Sequence, residues 1–363
     1  SGSLSVNSLE NRLMGARRKG NSLLLTVDSR IQATAVEELE GKRGAVVALD
    51  PKTGAVLAMA TSPSYDPNLL VPLKGRDTQA ALDALKAQES APLVNRGING
   101  LYPPGSSFKV VVSAAALDSG MLVPGDQFEC DGKLVVHGYA VYDFGRKSHG
   151  RISFDRALVV SCNIAFAQVG LRLGSDRLVS YAEKFGFNRK IPFDLPVSAS
   201  SIQKADTMDP VALAVSSFGQ GQDLATPLQM ALVAAAVANG GTVMEPYLVD
   251  EVQNYKGNIV ENYGPKPWSE VMSGETADTL TRMMVEAVER GTGTAARIEG
   301  VDVAGKTGTA EVEGGEPHAW FICFAPAQDP RVAVAVVVEN GGEGGRIAAP
   351  IARKVLKRAL KLD

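Results

Sequence analysis

Cysteine and histidine are scarce in this chain, long apolar runs and basic clusters are lacking, and each of these removes a class of answer. Its 363 residues include three cysteines, Cys130, Cys162 and Cys323. That is too few for a disulfide framework, and their spacing matches no zinc module. Cys323 falls in an apolar strand pattern and reads as a buried thiol; a Cys130–Cys162 bridge is left open. The histidines, His137, His149 and His318, also lack metal-ligand spacing, and His318 reads as a hairpin-loop residue. The longest uninterrupted apolar stretch, Met230 to Ala238, is far shorter than a membrane span. A net charge of −3 with no basic run argues against nucleic acid as a partner. There is no internal repeat, low-complexity tract or signal-peptide pattern.

What remains is ordinary globular composition, 45% hydrophobic and 21% charged, over a length that permits one large domain or two lobes sharing a core. Residues 1–21 are polar with no clear period; Ser1-Gly2-Ser3 reads as an expression scar and the rest as the remnant of something upstream. Ser22 to Val27 predicts a strand. Asp28 is an N-cap for a helix to about Leu39, with Ile31, Ala35 and Leu39 on one face and Glu37 and Glu38 solvated. Gly44 to Leu49 and Ala55 to Thr61 predict strands joined through Asp50-Pro51-Lys52-Thr53-Gly54, a hairpin signal. A proline-rich connector, Ser62 to Pro72, and a short helix over about 76–90 follow. From 106 to about 240 the pattern is mostly helical, with a loop-rich insert around 121–150. Within it Thr226-Pro227 supplies an N-cap and first helical residue, and Asn239-Gly240-Gly241 closes that helix. A helix over about 275–290 precedes three strand patterns: Val301 to Ala310, His318 to Ala325 and Arg331 to Glu339. A terminal helix spans about Ile347 to Leu362. The run Gly341-Gly342-Glu343-Gly344-Gly345 before it lacks a phosphate-binding fingerprint and reads as a flexible turn. Five hairpin-spaced strands without βαβ alternation predict an α/β (α+β) fold, an antiparallel sheet covered by helices and split by a helical insertion.

The chemistry centres on Tyr102-Pro103-Pro104-Gly105-Ser106-Ser107-Phe108-Lys109. Two prolines and a glycine stop an extended segment, and the apolar run from Val110 to Leu117 reads as a buried helix ending near Ser119-Gly120. Ser106 falls at or just inside the helix start, where unpaired backbone N–H groups favour developing negative charge. Lys109 lies three residues on, one turn away, placed to take a proton from a serine nucleophile. Spacing alone is weak: about one Ser-x-x-Lys is expected by chance in a chain this size, and Ser201-Ile202-Gln203-Lys204 has it too. Ser161-Cys162-Asn163 and Lys306-Thr307-Gly308-Thr309 complete an ordered trio. Each has a decoy, Ser5-Val6-Asn7 and Lys52-Thr53-Gly54, but in the wrong order or in a turn. Only the set 106, 161 and 306 puts the serine at a helix start, Ser-x-Asn between helices and Lys-Thr-Gly on a strand.

With Phe218-Gly219-Gln220-Gly221, Gly291-Thr292-Gly293-Thr294-Ala295-Ala296 and His318-Ala319-Trp320-Phe321, these motifs resemble the penicillin-binding transpeptidase family from about Leu23 to the C-terminus. Within it they resemble the class B (monofunctional) enzymes of actinobacteria, no glycosyltransferase-like region preceding the motifs. The resemblance implies a serine β-lactamase/transpeptidase-like fold. One domain would span 22–363, with an α/β lobe (about 22–105 and 275–363) and an inserted all-helical lobe (about 106–274). It implies peptidoglycan D,D-transpeptidation without cofactor or metal: Ser106 attacks D-Ala-D-Ala of a stem peptide, and β-lactams acylate the same serine. Lys109 is then the base, Ser161 the proton relay, and Asn163 a partner of the substrate amide. Lys306 supplies a second cation, and Lys306, Thr307, Gly308 and Thr309 hold the substrate carboxylate. The backbone N–H groups of Ser106 and Thr309 form the oxyanion hole. Phe218 to Gly221 help line the cleft. Class B proteins carry a membrane segment and a pedestal, so residues 1–21 would be tag and linker or pedestal remnant. The resemblance further implies anchoring at the outer face of the membrane. A SEDS-type glycan polymerase and divisome or elongation proteins are the partners expected through that N-terminal region.

Two alternatives share the motifs. A β-lactamase or D,D-carboxypeptidase would use water in place of the acceptor amine. Against a class A β-lactamase, Cys162 stands where Asp is expected, and Glu183 to Asn188 is a poorly spaced match to that family's Glu-x-x-Leu-Asn segment. A β-lactam sensor or wall-binding scaffold would keep the acyl-enzyme but not turn over.

Overall fold

The structure, a computed structural model, describes residues 20–73 and 75–362. The Ser5-Val6-Asn7 decoy and the N-terminal remnant up to Lys19 lie outside the described residues.

Asp50 turns the chain back on itself, its carboxylate accepting from the backbone N–H groups of Lys52 and Thr53. Strands β1 (Gly44–Leu49) and β2 (Val56–Ser62) meet across that turn. The late strands are β3 (Ala304–Ala310), β4 (His318–Ala325) and β5 (Val332–Val338). All five form one antiparallel sheet in the order β3-β4-β5-β1-β2. β3 starts at Ala304, not Val301, because Val301 closes a separate bridge with Ile298.

Alternation along each strand sorts the core into two layers. Ala45, Val47, Trp320, Ile322, Phe324, Ala335 and Val337 point to one face, and Val46, Ala48, Phe321, Cys323, Val334 and Val336 to the other. Both faces are covered, so the strands read as continuous apolar runs. Seven helices frame the site: α1 (Ser29–Glu38), α2 (Lys109–Asp118), α3 (Phe154–Val160), α4 (Asn163–Leu173), α5 (Pro227–Ala238), α6 (Gly274–Glu289) and α7 (Gly344–Leu360). The second face is covered by α1 and α7 through Ile31, Ala35, Ala348, Ala352 and Val355. Glu38, expected in solvent, is paired with Lys354 of α7 at 2.7 Å, while Glu37 is exposed. On the first face lies α5, apolar all round and buried from Pro227 to Val237, wedged between sheet and insertion.

The inserted lobe is mostly helical yet not purely so, which corrects the all-helical expectation. The stretch read as a loop-rich insert holds two antiparallel pairs, Gln127–Cys130 with Gly150–Ser153 and Lys133–Val136 with Tyr139–Tyr142. Their strands are four residues each, too short for periodicity to register. Lobe and sequence boundaries also cross: Ser22–Leu25 pairs with Val249–Gln253 rather than with the main sheet. The glycine run before α7 is no flexible turn. Gly344 opens the helix, three residues before the expected start, and a Cβ there would lie 2.1 Å from Trp320 O and 2.3 Å from Gly308 O. Glycine lets the helix start press against β3 and β4.

Thr226 caps α5, its hydroxyl accepting from Gln229 N at 3.1 Å, with Pro227 as first helical residue. Thr226→Ala is expected to cost about 1 kcal/mol, read from the urea midpoint with an unchanged slope.

Candidate active site

The Tyr102–Lys109 segment is held from several sides. Tyr102 stacks edge-on against Trp320 and His318, and its hydroxyl donates to Glu339 at 2.7 Å, a carboxylate that also receives Arg96. Trp320 Nε1 donates to Pro103 O. Gly105, at φ +54°, donates its N–H to Gly219 O at 2.8 Å. A Cβ on Gly219 would fall 2.1 Å from Gly105 O, so the Phe218–Gly221 loop can grip the turn only through glycine. A 3₁₀ turn, Gly105–Phe108, then leads straight into α2, so Ser106 sits one turn before the helix proper and Lys109 is its first residue. Of the two serines, Ser107 spends its hydroxyl on Pro104 O at 2.6 Å. Ser106 lines the cleft, and among the described residues none hydrogen-bonds its hydroxyl.

The second motif is a break between helices. Ser161 ends α3 in the left-handed region, φ +62°, a conformation that costs a non-glycine residue roughly 1–2 kcal/mol. Cys162, not Asn163, caps α4, its sulfur accepting from Ala165 N. That leaves Asn163 free to turn its side chain to Lys109. Asp143, buried on the loop after the second small hairpin, accepts from Asn163 N at 2.8 Å and pins the start of α4.

Lys109 and Lys306 are both wholly buried, and both aim at Ser161. Lys109 Nζ donates to Ser161 O (2.7 Å), Asn163 Oδ1 (2.8 Å) and Ser161 Oγ (3.3 Å). Lys306 Nζ donates to Ser161 Oγ at 2.9 Å and to Thr307 O at 3.0 Å. Burial pushes Lys109 down to about 8, opposed by the nearby Asp143 carboxylate. Lys306 lies well below the ordinary lysine value, through burial first and the Lys109 charge second. The Ser161 hydroxyl, with two lone pairs and one proton, can receive both lysines and still donate.

β3 passes close to the Ser106 turn: a Cβ on Gly308 would lie 2.9 Å from Pro104 O and 3.3 Å from Ser107 N. Thr307 and Thr309 line the same cleft of about 680 Å³, with Tyr142, Phe218, Gln220 and Thr292 among its walls. The site residues read from sequence therefore meet in one place. The decoys do not: Lys52 is paired with Asp329 on the surface, and Ser201 bridges to Leu224. Glu183 borders a separate hollow. His318 begins β4 rather than sitting in a loop, and its Nδ1 accepts from Asn340 N.

Sequence reading missed Asp143, Arg96 and Glu339, and it gave Thr292 no role beyond its place in the Gly291–Ala296 motif. Asp143 carries no motif, and its importance arises only when the loop folds onto α4. The same loop builds a grouping that spacing conceals. Cys130, Asp143 and Cys162 offer ligand atoms within 4.8 Å of one another, and His149 Nε2 is 3.0 Å from Asp143 Oδ2. These are the residues with donor chemistry for a metal; the two sulfurs lie 2.8 Å apart as free thiols.

A buried lysine pair sharing one serine hydroxyl, beside a second serine at a turn into a helix, defines a serine acyltransferase centre. Residues 44–357 match the penicillin binding protein transpeptidase domain, and the chain belongs to that family. The chain is 38% identical to the peptidoglycan D,D-transpeptidase PbpA of Mycolicibacterium smegmatis, over 98% of this chain and 78% of the relative. It is similar, with a TM-score of 0.92 and 37% identity, to penicillin-binding protein A of M. tuberculosis solved as its penicillin G acyl-enzyme, covering 99% of this chain and 85% of that one. A chain of a peptidoglycan synthase complex that coordinates polymerization and crosslinking is similar at a TM-score of 0.84 and 29% identity, covering 95% and 63%.

A lysine with a depressed pKa weakens the fold fully below about 8, and the penalty fades as pH climbs to its ordinary 10.5. Urea denaturation of wild type and Lys109→Met at pH 7 and 10.5 should show the difference shifting in favour of wild type by roughly 3 kcal/mol.

Proposed function

We propose that this chain is a peptidoglycan D,D-transpeptidase acting through a Ser106 acyl-enzyme. The observation that carries the reading is the convergence of two fully buried lysines on the Ser161 hydroxyl, inside the cleft that Ser106 lines. Ser106 Oγ attacks the carbonyl between the two D-alanines and gives its proton to neutral Lys109. The developing oxyanion rests between the backbone N–H groups of Ser106 and Thr309, a reading that the close pass of β3 by the turn supports. The C–N bond then breaks, and the proton passes from Lys109 through Ser161 to the departing amine. D-alanine leaves, and Ser106 holds the remaining peptide as an ester. An acceptor amine from a second stem peptide attacks that ester and forms the cross-link. Its proton passes to Lys109 and from Lys109 to Ser106 Oγ as that oxygen leaves, which restores the hydroxyl and the neutral base.

Asn163 orients the substrate amide. Lys306, Thr307 and Thr309 take the terminal carboxylate, with Gly308 allowing the close approach of β3. A β-lactam enters the same sequence, but its opened-ring amine stays tethered and blocks the acceptor. Similarity to a penicillin G acyl-enzyme supports this inhibition. Similarity to a chain of a synthase complex supports a glycan polymerase, SEDS-type in the family, and divisome or elongation proteins as partners. Activity on peptidoglycan supports a location outside the cytoplasm, and the family resemblance supports a membrane anchor upstream. No helix among the described residues is long and apolar enough to cross a membrane.

Intact mass over hours with penicillin should show a persistent adduct on wild type and none on Ser106→Ala. Catalytic consumption of penicillin with only a fleeting adduct would point to a hydrolase instead. The acylation rate should climb with pH toward a plateau above about 8, because the neutral form of Lys109 is the base. A rate that falls over pH 6–8 would exclude Lys109 from that role.

A further inference from the structure

Thr292 follows Gly291 in the loop after α6. A Cβ on Gly291 would lie 2.3 Å from Val159 O, two residues before Ser161, and one on Gly345 would lie 2.5 Å from Thr292 O. The loop is thus wedged between the end of α3 and the first turn of α7. From that fixed position the Thr292 hydroxyl reaches Thr307 Oγ1 at 2.6 Å, and both residues line the cleft.

A hydroxyl has one proton, so only one of the two can donate across that contact. If Thr307 donates, its proton is consumed inside the pair. If Thr292 donates, the Thr307 proton is free to point into the cleft. A carboxylate offers acceptors only, so its arrival selects the second arrangement. Thr307 is 5% exposed and carried on a rigid strand between β4 and the Ser106 turn. Its hydroxyl rotor is the remaining freedom, and Thr292 fixes that rotor.

We propose that Thr292 is a positioning residue for recognition of the substrate's terminal carboxylate. It donates to Thr307 Oγ1 and so turns the Thr307 proton toward the carboxylate. The relay runs from Thr292 to Thr307 to the carboxylate, each donated bond polarising the next. This inference rests on the transpeptidase reading, in which Thr307 meets that carboxylate.

The test compares acylation by benzylpenicillin with acylation by its methyl ester, which lacks the charged group. Wild type, Thr292→Val, Thr292→Ser, Thr307→Val, Ser106→Ala and the Thr292→Val/Thr307→Val double variant are measured. Thr292→Val keeps the shape and removes the donor. Its acid-over-ester preference should drop roughly fivefold to tenfold, and Thr292→Ser should restore it. The double variant should lose no more preference than Thr307→Val alone, because the two residues act in series. Equal losses on acid and ester, no rescue by serine, or additive losses in the double variant would overturn the proposal. An adduct on wild type but not on Ser106→Ala, together with an unmoved preference in Thr292→Val, would sink this inference and leave the transpeptidase reading standing. No Ser106-dependent adduct on wild type would sink both.

Discussion

Two ammonium groups buried within reach of one hydroxyl are an expensive thing to build, and the rest of the structure follows from that cost. Moving Lys109 from its ordinary 10.5 to about 8 corresponds to roughly 3 kcal/mol against the folded, protonated state, and Lys306 too is held well below its ordinary value, by burial first and the Lys109 charge second. A pair like this survives only where its donors are satisfied. Each lysine accordingly finds a carbonyl as well as the shared hydroxyl, and the Asp143 carboxylate lends partial compensation. The surrounding apolar mass has two parts, α5 filling one face of the sheet and α1 with α7 the other. That mass offsets the penalty and keeps water from relieving it.

Backbone approach is the second constraint. Two chain segments must come close to the Ser106 turn, the Phe218–Gly221 loop and β3, and the start of α7 must in turn press on β3 and β4. Side chains at Gly219, Gly308 or Gly344 would each hold one of them off. Glycine at those places is therefore dictated by distance, whereas the proposed nucleophile, base and relay are dictated by chemistry. Ser161 belongs to both groups. Its left-handed backbone directs the carbonyl to Lys109 while its hydroxyl receives both lysines.

Much of this was readable before any coordinates. The five strands, the hairpin at Asp50, the cap at Thr226 and the positions of Ser106, Lys109, Ser161, Asn163 and Lys306 all follow from local pattern and motif order. What escaped reading has a common cause. The four-residue strands between 127 and 153 are too short for alternation to be seen, so a folded hairpin pair looked like loop. Asp143 and Glu339 meet partners that nothing near them announces, and the motif that holds Thr292 does not name Thr307 as its neighbour. Gly344 was misread because a glycine needed for close packing looks, in one dimension, like a glycine needed for a turn.

The substrate's own carboxylate enters this balance as a charged participant. In the proposed reading its arrival beside Thr307 and Thr309 would place an anion near Lys306 and favour the proton there. A protonated Lys306 then makes a proton on Lys109 more costly, because the two cations share the Ser161 hydroxyl in a low-dielectric pocket. In the proposed reaction, substrate binding would therefore favour the neutral base by the same contact that recognises the ligand. A water molecule or an uncharged ester brings no such anion and leaves the lysine pair as it was. In that reading nucleophile activation is tied to a ligand ending in a carboxylate, and the buried pair that costs the fold stability is what would make the coupling strong.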